Sequence, residues 1–213
     1  VLMDPRFAKA HDNGDIHIHD LDFYATGTLT CCQTDPLKLF ANGGFNTGHG
    51  HLRTPNSIAS YAALAAIILQ ANQNEQHGGQ SIPNFDYAMA PGVNKSFKKA
   101  LRSNLEKYNK YSGKKVDIKI PDDIAYGDNE TLKKLKIPET VIETSNEDVE
   151  KQTFQAMEGF IHNLNTMHSR AGAQVPFTSI NFGTDTTPAG RLVSKNLLDA
   201  TEKGLGQDRK SVV

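Results

Sequence analysis

Apolar residues recur at helical spacing in four long stretches of the chain. Residues 58–74 are rich in alanine and apolar on nearly every side, which predicts a helix buried on more than one face. Residues 94–111 carry one apolar stripe among lysines and arginines, and residues 147–170 carry another after an acidic first turn. Residues 188–204 predict a last helix.

Shorter stretches predict extended structure between these helices. From Gly14 to Leu21 apolar and polar residues alternate, which is typical of a strand with one apolar face and one face of imidazoles. Residues 28–34 predict a second extended piece, and residues 175–183 predict a further strand. Because the strands are separated by long helices, the sequence predicts a parallel α/β arrangement.

Two stretches predict irregular structure. Residues 42–53 hold four glycines, which free the backbone and let it approach a ligand closely. Residues 112–145 are charged and lack clear periodicity, so we expect an extended surface excursion with a short helix near residues 131–136. The whole chain, residues 1–213, is expected to form a single, partial domain.

The composition is that of a globular chain. Hydrophobic residues make up 38%, charged residues make up 22%, and the formal net charge is −1. This balance does not favour a polyanion-binding protein, so we expect no DNA partner. The longest run of low polarity, residues 62–69, is far too short to span a bilayer. The two cysteines are adjacent and cannot cross-link a fold, so we expect a cytoplasmic protein without a membrane partner.

The first predicted strand carries two histidines on one face. His17 and His19 could bind zinc or iron there. Such a pair resembles the metal site of amidohydrolases, but that family also needs later histidines and an aspartate at strand ends. His162 and His168 lie instead on a predicted helix. The sequence therefore favours hydrogen-bonded histidines and no metal, with a metal-dependent hydrolase as the alternative.

The adjacent cysteines cannot point the same way if they lie on a strand. One of Cys31 and Cys32 must face the core and the other must face outward. A buried structural thiol, a nucleophilic thiol with a nearby base, and a redox thiol acting on a ligand all stay open at this point.

Several stretches, in order along nearly the whole chain, resemble the anaerobic (class III) ribonucleoside-triphosphate reductases. No single stretch decides the matter, but their ordered combination is specific. They are AHDNGDIH at 10–17, HDLD at 19–22, Cys31 with Asp35, Pro55 with Ser57-Ile58, Gly78-Gly79, Ala90-Pro91, HNLNTMHSRAGAQVPFTSINFGT at 162–184 and GLG at 204–206.

The resemblance implies a fold and an activity. The fold is a ten-stranded glycyl-radical-enzyme α/β barrel, of which this chain would form the N-terminal half with long flanking helices. The activity is that of an oxidoreductase that reduces ribonucleoside triphosphates to 2′-deoxyribonucleoside triphosphates through glycyl and thiyl radicals, with formate as reductant. A radical-SAM activase generates the glycyl radical. The full-length enzyme is a homodimer, and dNTP or ATP effectors act on it allosterically.

The resemblance also assigns roles to residues of this chain. Cys31 matches the second, substrate-facing cysteine of the radical site, and Cys32 would be the outward thiol. A phosphate could meet backbone amides at a helix start and a neighbouring lysine, which indicates an effector face. The implied substrate-binding residues are His17, His19, Asp20, Ser169, Arg170, Gly172, Ser179 and Asn181, and the implied effector-binding residues are Ser57, Gln70, Lys98 and Lys99.

Three parts of the family pattern are not found in these 213 residues. They are the thiyl cysteine, the glycyl-radical loop and the four-cysteine zinc site, all of which we expect outside this chain. The isolated chain is therefore expected to be inactive. Two alternatives remain: the metal-dependent hydrolase that uses His17 and His19, and a catalytically silent nucleotide-binding module.

Overall fold

The computed structural model describes residues 3–25, 31–41, 43–46, 48, 50–113, 115–168, 172 and 174–205. The helices within them are α1 (Pro5–Asp12), α2 (Pro36–Phe40), α3 (Ile58–Gln73), α4 (Phe85–Tyr111), α5 (Asn129–Lys134), α6 (Glu139–Thr166) and α7 (Pro188–Lys203). The strands are β1 (Cys32–Gln33), β2 (Gly44–Asn46), β3 (His51–Arg53), β4 (Gln80–Ile82) and β5 (Thr178–Ile180). No helix in these ranges is long and apolar enough to cross a bilayer.

Three of the strands form a parallel sheet in the order β1–β4–β5. Helix α2, the strands β2 and β3, and helix α3 lie between β1 and β4, and the helices from α4 to α6 connect β4 to β5. The predicted parallel α/β arrangement is therefore confirmed in its coarse form. Three strands in the described part of the chain do not by themselves make half of a ten-stranded barrel.

The core lies among the four long helices α3, α4, α6 and α7. The rings of Phe85 and Phe160 meet with their centroids 4.8 Å apart, and both side chains are fully buried. Burying one phenylalanine stabilises the fold by roughly 1.5–3 kcal/mol. Most of the buried apolar residues of the described chain lie in these four helices.

Helix α3 confirms the prediction made for residues 58–74. Ser57 is its N-cap, and Ser57 and Ser60 form a reciprocal capping box. Eight of its residues are buried, including Tyr61, Ala65 and Leu69, so the helix packs on several sides. The helix predicted at residues 188–204 is likewise present as α7.

Helix α4 begins at Phe85, well before the residue 94 that the pattern predicts. A proline followed by a glycine usually interrupts a helix, but Pro91 and Gly92 both lie inside α4. A Cβ at Gly92 would lie 2.9 Å from the ring of Tyr61, so only glycine lets α4 approach α3 this closely. Packing against α3 therefore overrides the local signal.

Helix α6 also begins early, at Glu139 rather than at residue 147. Residues 139–145 of the predicted surface excursion belong to this helix, where Val141 and Ile142 are buried. Ile120 and Leu132 of the same stretch pack into the core as well. This charged stretch therefore also contains buried apolar residues, which are too widely spaced to give a periodic hydrophobic pattern.

The strand predicted from Gly14 to Leu21 is wrong. The segment is irregular and ends in a 3-10 turn at Leu21–Phe23. Its backbone donors are satisfied locally, since Asp15 and Ile16 donate to the carbonyl of Ala10 at the end of α1. Among the described residues no strand pairs with it, and alternation alone does not make a strand without a partner.

The glycine loop predicted at residues 42–53 is also wrong in part. Strands β2 and β3 pair there as an antiparallel hairpin, with Gly44 opposite Arg53. Of the extended piece predicted at residues 28–34, residues 28–30 lie outside the described part of the chain, and β1 forms at Cys32–Gln33.

A buried carboxylate joins the start of α4 to the loop after β5. Asp86 is fully buried, and its Oδ2 accepts hydrogen bonds from the backbone N–H groups of Gly183 at 2.7 Å and Asp185 at 2.8 Å. Its Oδ1 accepts from the N–H of Tyr87 at 3.0 Å. Three backbone donors therefore depend on this one side chain.

Replacing Asp86 with alanine should lower the free energy of unfolding by about 3 kcal/mol, because buried N–H groups would lose their acceptor. Urea unfolding followed by circular dichroism measures this change. The matched control is Asp123→Ala, because Asp123 is exposed, and its effect should stay within about 0.5 kcal/mol. Equal midpoints for the two variants would contradict the role given to Asp86.

A second prediction concerns Tyr126. Burial, together with the hydrogen bond that its hydroxyl donates to Glu150 at 2.8 Å, raises the pKa of Tyr126 well above its usual range. The unfolded chain then loses this proton first, so the stabilisation is complete below about pH 10 and is lost as the pH rises towards the folded-state pKa. Tyr126→Phe should make the free energy of unfolding fall less steeply above pH 10.

The control for this experiment is Tyr111→Phe, because Tyr111 is 75% exposed. Urea unfolding at several pH values between 8 and 11 should give the control the wild-type slope. A wild-type slope in the Tyr126 variant as well would show that Tyr126 does not contribute to the alkaline loss of stability.

Candidate functional site

A cavity of about 470 Å³ lies along all three strands of the parallel sheet. Its walls include thiol, hydroxyl and amide groups together with one aromatic ring, and none of its lining residues is charged. The residues that matter below are Cys31, Cys32, Gln80, Ser81, Phe177 and Ser179. The volume falls within the range of small-molecule sites.

The register of the sheet decides which side chains share a face. Cys32 is paired with Gln80, and Gln80 is paired with Thr178, so these three residues form one row. The next row holds Ser81 paired with Ser179. Because successive side chains of a strand point to opposite faces, the two rows lie on opposite sides of the sheet. The first row lies on the side of α3, and we call the other side the open face.

The two cysteines lie on different sides of this sheet. Cys32 is half-buried, and its Sγ accepts a hydrogen bond at 2.9 Å from the side-chain amide of Asn72 in α3. Cys31 is exposed and lines the cavity. This separation is the one that the sequence predicts for neighbouring residues on a strand, although the catalytic role of Cys31 stays a prediction.

Ser179 and Asn181 of the predicted substrate set follow each other along the open face. Both are exposed, and Asn181 continues the sheet because its N–H donates to the carbonyl of Ile82 at 2.9 Å. Phe177 is 79% exposed beside them. Hydroxyl and amide groups beside an aromatic ring suit a ligand that combines polar groups with a flat ring.

His17, His19 and Asp20 lie in the N-terminal segment and do not line the cavity. Nε2 of His19 lies 3.2 Å from Oδ2 of Asp20. The ring of Phe23 stacks on the ring of His77 with centroids 3.9 Å apart, which holds this segment beside the turn before β4. The three residues are thus near the sheet but outside the pocket.

The rings of His11, His17 and His19 follow one another with centroids 5.7 and 6.0 Å apart. Across the described ranges, no group of three histidine, cysteine or acidic residues has the geometry to hold a metal ion. His11 instead accepts a hydrogen bond at Nδ1 from the N–H of Ile18 at 3.2 Å.

The other predicted substrate residues lie before β5. Ser169 and Arg170 fall outside the residues that the structure describes. Gly172 is exposed and has φ 88°, a conformation that favours glycine. Gln73 of α3 donates from Nε2 to the carbonyl of Val175 at 3.0 Å, which fixes the approach to β5.

The predicted effector residues do not form one site within a single chain. Ser57 and Lys99 line a surface pocket of about 440 Å³ between α3, α4 and α6, together with Lys107 and Asp148. Lys98 points elsewhere and donates from Nζ to the carbonyl of Asp122 at 2.6 Å. Gln70 lies 13 residues beyond Ser57 along α3, about 20 Å away.

The sequence pattern did not identify Asn72, Gln76 and Gln80 as residues of the site. They lie in LQANQNEQHGGQ, a run of amides that follows an apolar helix. Such a run looks like a polar loop, yet Gln76 and Gln80 are only 3% exposed. A run of amides in the sequence indicates a buried polar cluster only once the structure shows that its side chains are buried.

The sequence model of the family described as anaerobic ribonucleoside-triphosphate reductase matches residues 1–213. The chain is similar to three proteins that carry this name. It is 29% identical over its full length to that of Escherichia coli K12, 31% identical over 97% of its length to that of Enterobacteria phage T4, and 28% identical over 96% to that of Haemophilus influenzae. The matches cover 26%, 29% and 25% of those proteins.

The chain therefore spans little more than a quarter of the length of the curated relatives it matches. The match to the family is nevertheless continuous from its first residue to its last. With its parallel sheet and the two cysteines on opposite faces, the chain belongs to the anaerobic ribonucleoside-triphosphate reductase family.

Proposed function

We propose that this chain supplies one wall of the substrate site of an anaerobic ribonucleoside-triphosphate reductase and presents the thiol of Cys31 to the ribose. The observation that carries the proposal is the position of Cys31, which is exposed and lines the cavity along the sheet, whereas Cys32 is half-buried against α3. The relatives that match the chain carry the name of this enzyme.

The hydroxyls on the open face fit a ribonucleotide. Ser81 and Ser179 are in register on neighbouring strands, so their side chains stand side by side on this face. They can hydrogen-bond the ribose hydroxyls, while Phe177 offers a flat surface to the base. Cys31 then lies where its S–H can give a proton to the departing 2′-oxygen, which leaves as water.

The remaining chemistry comes from outside these 213 residues in this proposal. A glycyl radical supplies the oxidising equivalent, a radical-SAM activase generates it, and formate supplies the reducing equivalents. The zinc site that the family resemblance implies also belongs outside this chain. Both cysteines are free thiols, which fits the reducing cytoplasm as the place of this enzyme.

We also propose that the three-stranded sheet is part of a ten-stranded barrel. Within the described residues β1 and β5 are edge strands, and the open face beside them carries exposed Phe177 and Val175. Unpaired edges and exposed apolar groups favour further pairing. The relatives are roughly four times as long as the chain, which leaves ample sequence for the remaining strands.

The pocket at Ser57 and Lys99 is our candidate for the part of a dNTP or ATP effector site that this chain contributes. Two lysines, Lys99 and Lys107, and the start of α3 meet there. The ammonium groups attract phosphate, whereas the N–H groups of Ile58 and Ser60 at the helix start already donate to Ser96 and Ser57. In the full-length homodimer, a second subunit could complete the site.

The substrate proposal predicts that a ribonucleoside triphosphate protects Cys31 from alkylation. Iodoacetamide labelling with peptide mass spectrometry should show Cys31 slowed at least threefold by millimolar CTP or ATP, with inorganic triphosphate as the control. Ser179→Tyr should abolish the protection because the ring fills the cavity, whereas Ser112→Tyr at the far end of α4 should preserve it. Unprotected Cys31 in the wild-type chain would overturn the proposal.

The effector proposal makes a separate prediction. Lys99→Ala should weaken dATP binding about tenfold, the effect of losing one charged hydrogen bond to phosphate. Lys98→Ala is the matched control, because its Nζ is already bonded to Asp122 on another surface. Titration calorimetry measures both dissociation constants, and similar values for the two variants would exclude this pocket.

A further inference from the structure

Three amide side chains meet beneath β1 and β4 on the side of α3. We call Asn72, Gln76 and Gln80 the amide cluster. Nδ2 of Asn72 lies 3.1 Å from Oε1 of Gln76 and 2.9 Å from Oε1 of Gln80. The same nitrogen lies 2.9 Å from Sγ of Cys32. The thiol of Cys32 is thus part of a network that is largely closed to water.

The backbone fixes the orientation of every amide in this cluster. Gln80 donates from Nε2 to the carbonyl of Leu69 at 2.8 Å, and Gln76 donates from Nε2 to the carbonyl of Gly79 at 3.3 Å. A carbonyl can only accept, so both glutamines must turn their NH₂ groups outward to the backbone and their oxygens towards Asn72.

The orientation of the side-chain amide of Asn72 is therefore fixed as well. It meets two amide oxygens, so it must present its NH₂ group, and the two hydrogens of that group are shared among these oxygens and the sulfur of Cys32. The bond to the sulfur is directional and comes from the α3 side of the sheet. It holds the Cys32 thiol on that side.

This restraint matters because β1 is weakly specified. It is only two residues long, and within the described residues it pairs only with β4, through the bonds from Cys32 N to Gly79 O at 3.2 Å and from Thr34 N to Ser81 O at 2.8 Å. A slip of one residue in a strand moves every side chain to the other face. In β1 such a slip would exchange Cys31 and Cys32, and both are thiols of equal size.

We propose that Asn72 is a positioning residue that decides which of the two adjacent cysteines turns its thiol to the open face. By holding Cys32 against α3, it leaves Cys31 as the thiol on the open face. The restraint on Cys32 stands on its own geometry. The proposal rests on the proposed function only where it identifies Cys31 as the thiol that meets the substrate.

Site-resolved alkylation tests the proposal without any nucleotide. In the wild-type chain, iodoacetamide should modify Cys31 faster than Cys32, as measured by peptide mass spectrometry over time. Asn72→Ala should raise the rate at Cys32 about fivefold, the effect expected for one lost hydrogen bond, and should not raise the rate at Cys31. Asn74→Ala, at an exposed residue just after α3, is the matched control and should leave both rates unchanged.

The ratio of the two rates separates positioning from general loosening. An equal rise at both cysteines in Asn72→Ala would mean that the residue only stabilises the fold, and an unchanged Cys32 would mean that it holds nothing. Either result overturns the proposal. If Asn72→Ala does not fold, Asn72→Leu keeps most of the volume without the donor and takes its place. Failure of triphosphate to protect Cys31 would leave these rates unaffected, so the two proposals can fail separately.

Discussion

Buried polar groups at both ends of the strands hold the parallel sheet in place. At one end the amide cluster joins α3 to β1 and β4, through Asn72 and Gln80. At the other end Asp86 joins α4 to the loop after β5. Gln80 and Asp86 are buried, so a hydrogen bond lost there would not be replaced by one to water, and the cost of losing it is high. A sheet of such short strands depends on these bonds more than on its own ladder.

This arrangement produces two unlike faces. On the helix side, Ile82 belongs to the apolar core, Ile180 packs against it, and Gln80 of the amide cluster donates to the backbone of α3. On the open face, Cys31 and Ser179 stand beside exposed Phe177 with their backbone positions already fixed. A reacting group is most effective when the residues behind it hold it in place. The thiol and hydroxyl groups of the open face are thus accessible, because the other face of the sheet packs against the helices.

Helix α3 connects the two candidate sites. Ser57 at its start lines the lysine pocket, and Asn72 near its end contacts Cys32. The two residues are about 22 Å apart along one continuous helix. The helix is buried on several sides and is crossed closely by α4 at Gly92. Movement at either end would therefore disturb packing along its whole length.

Much of the architecture could be read from the sequence because it depends on local rules. Helical periodicity gave α3 and α7, and the alternation of side chains along a strand gave the opposite placement of Cys31 and Cys32. The combination of ordered motifs gave the family. Each of these follows from neighbouring residues, or from short motifs kept in order along the chain.

What depends on distant contacts was decided only by the tertiary structure. Residues 14–21 alternate like a strand but pair with no strand in the described part of the chain, whereas α4 runs through Pro91, and Gly92 packs against Tyr61. Lys98 and Lys99 are neighbours in sequence, yet only Lys99 reaches the pocket of Ser57. The sequence determined which residues could form helices. It also determined that two adjacent cysteines on a strand would face opposite sides of the sheet. Packing determined which of them meet, because burial and hydrogen-bond partners come from segments far apart along the chain.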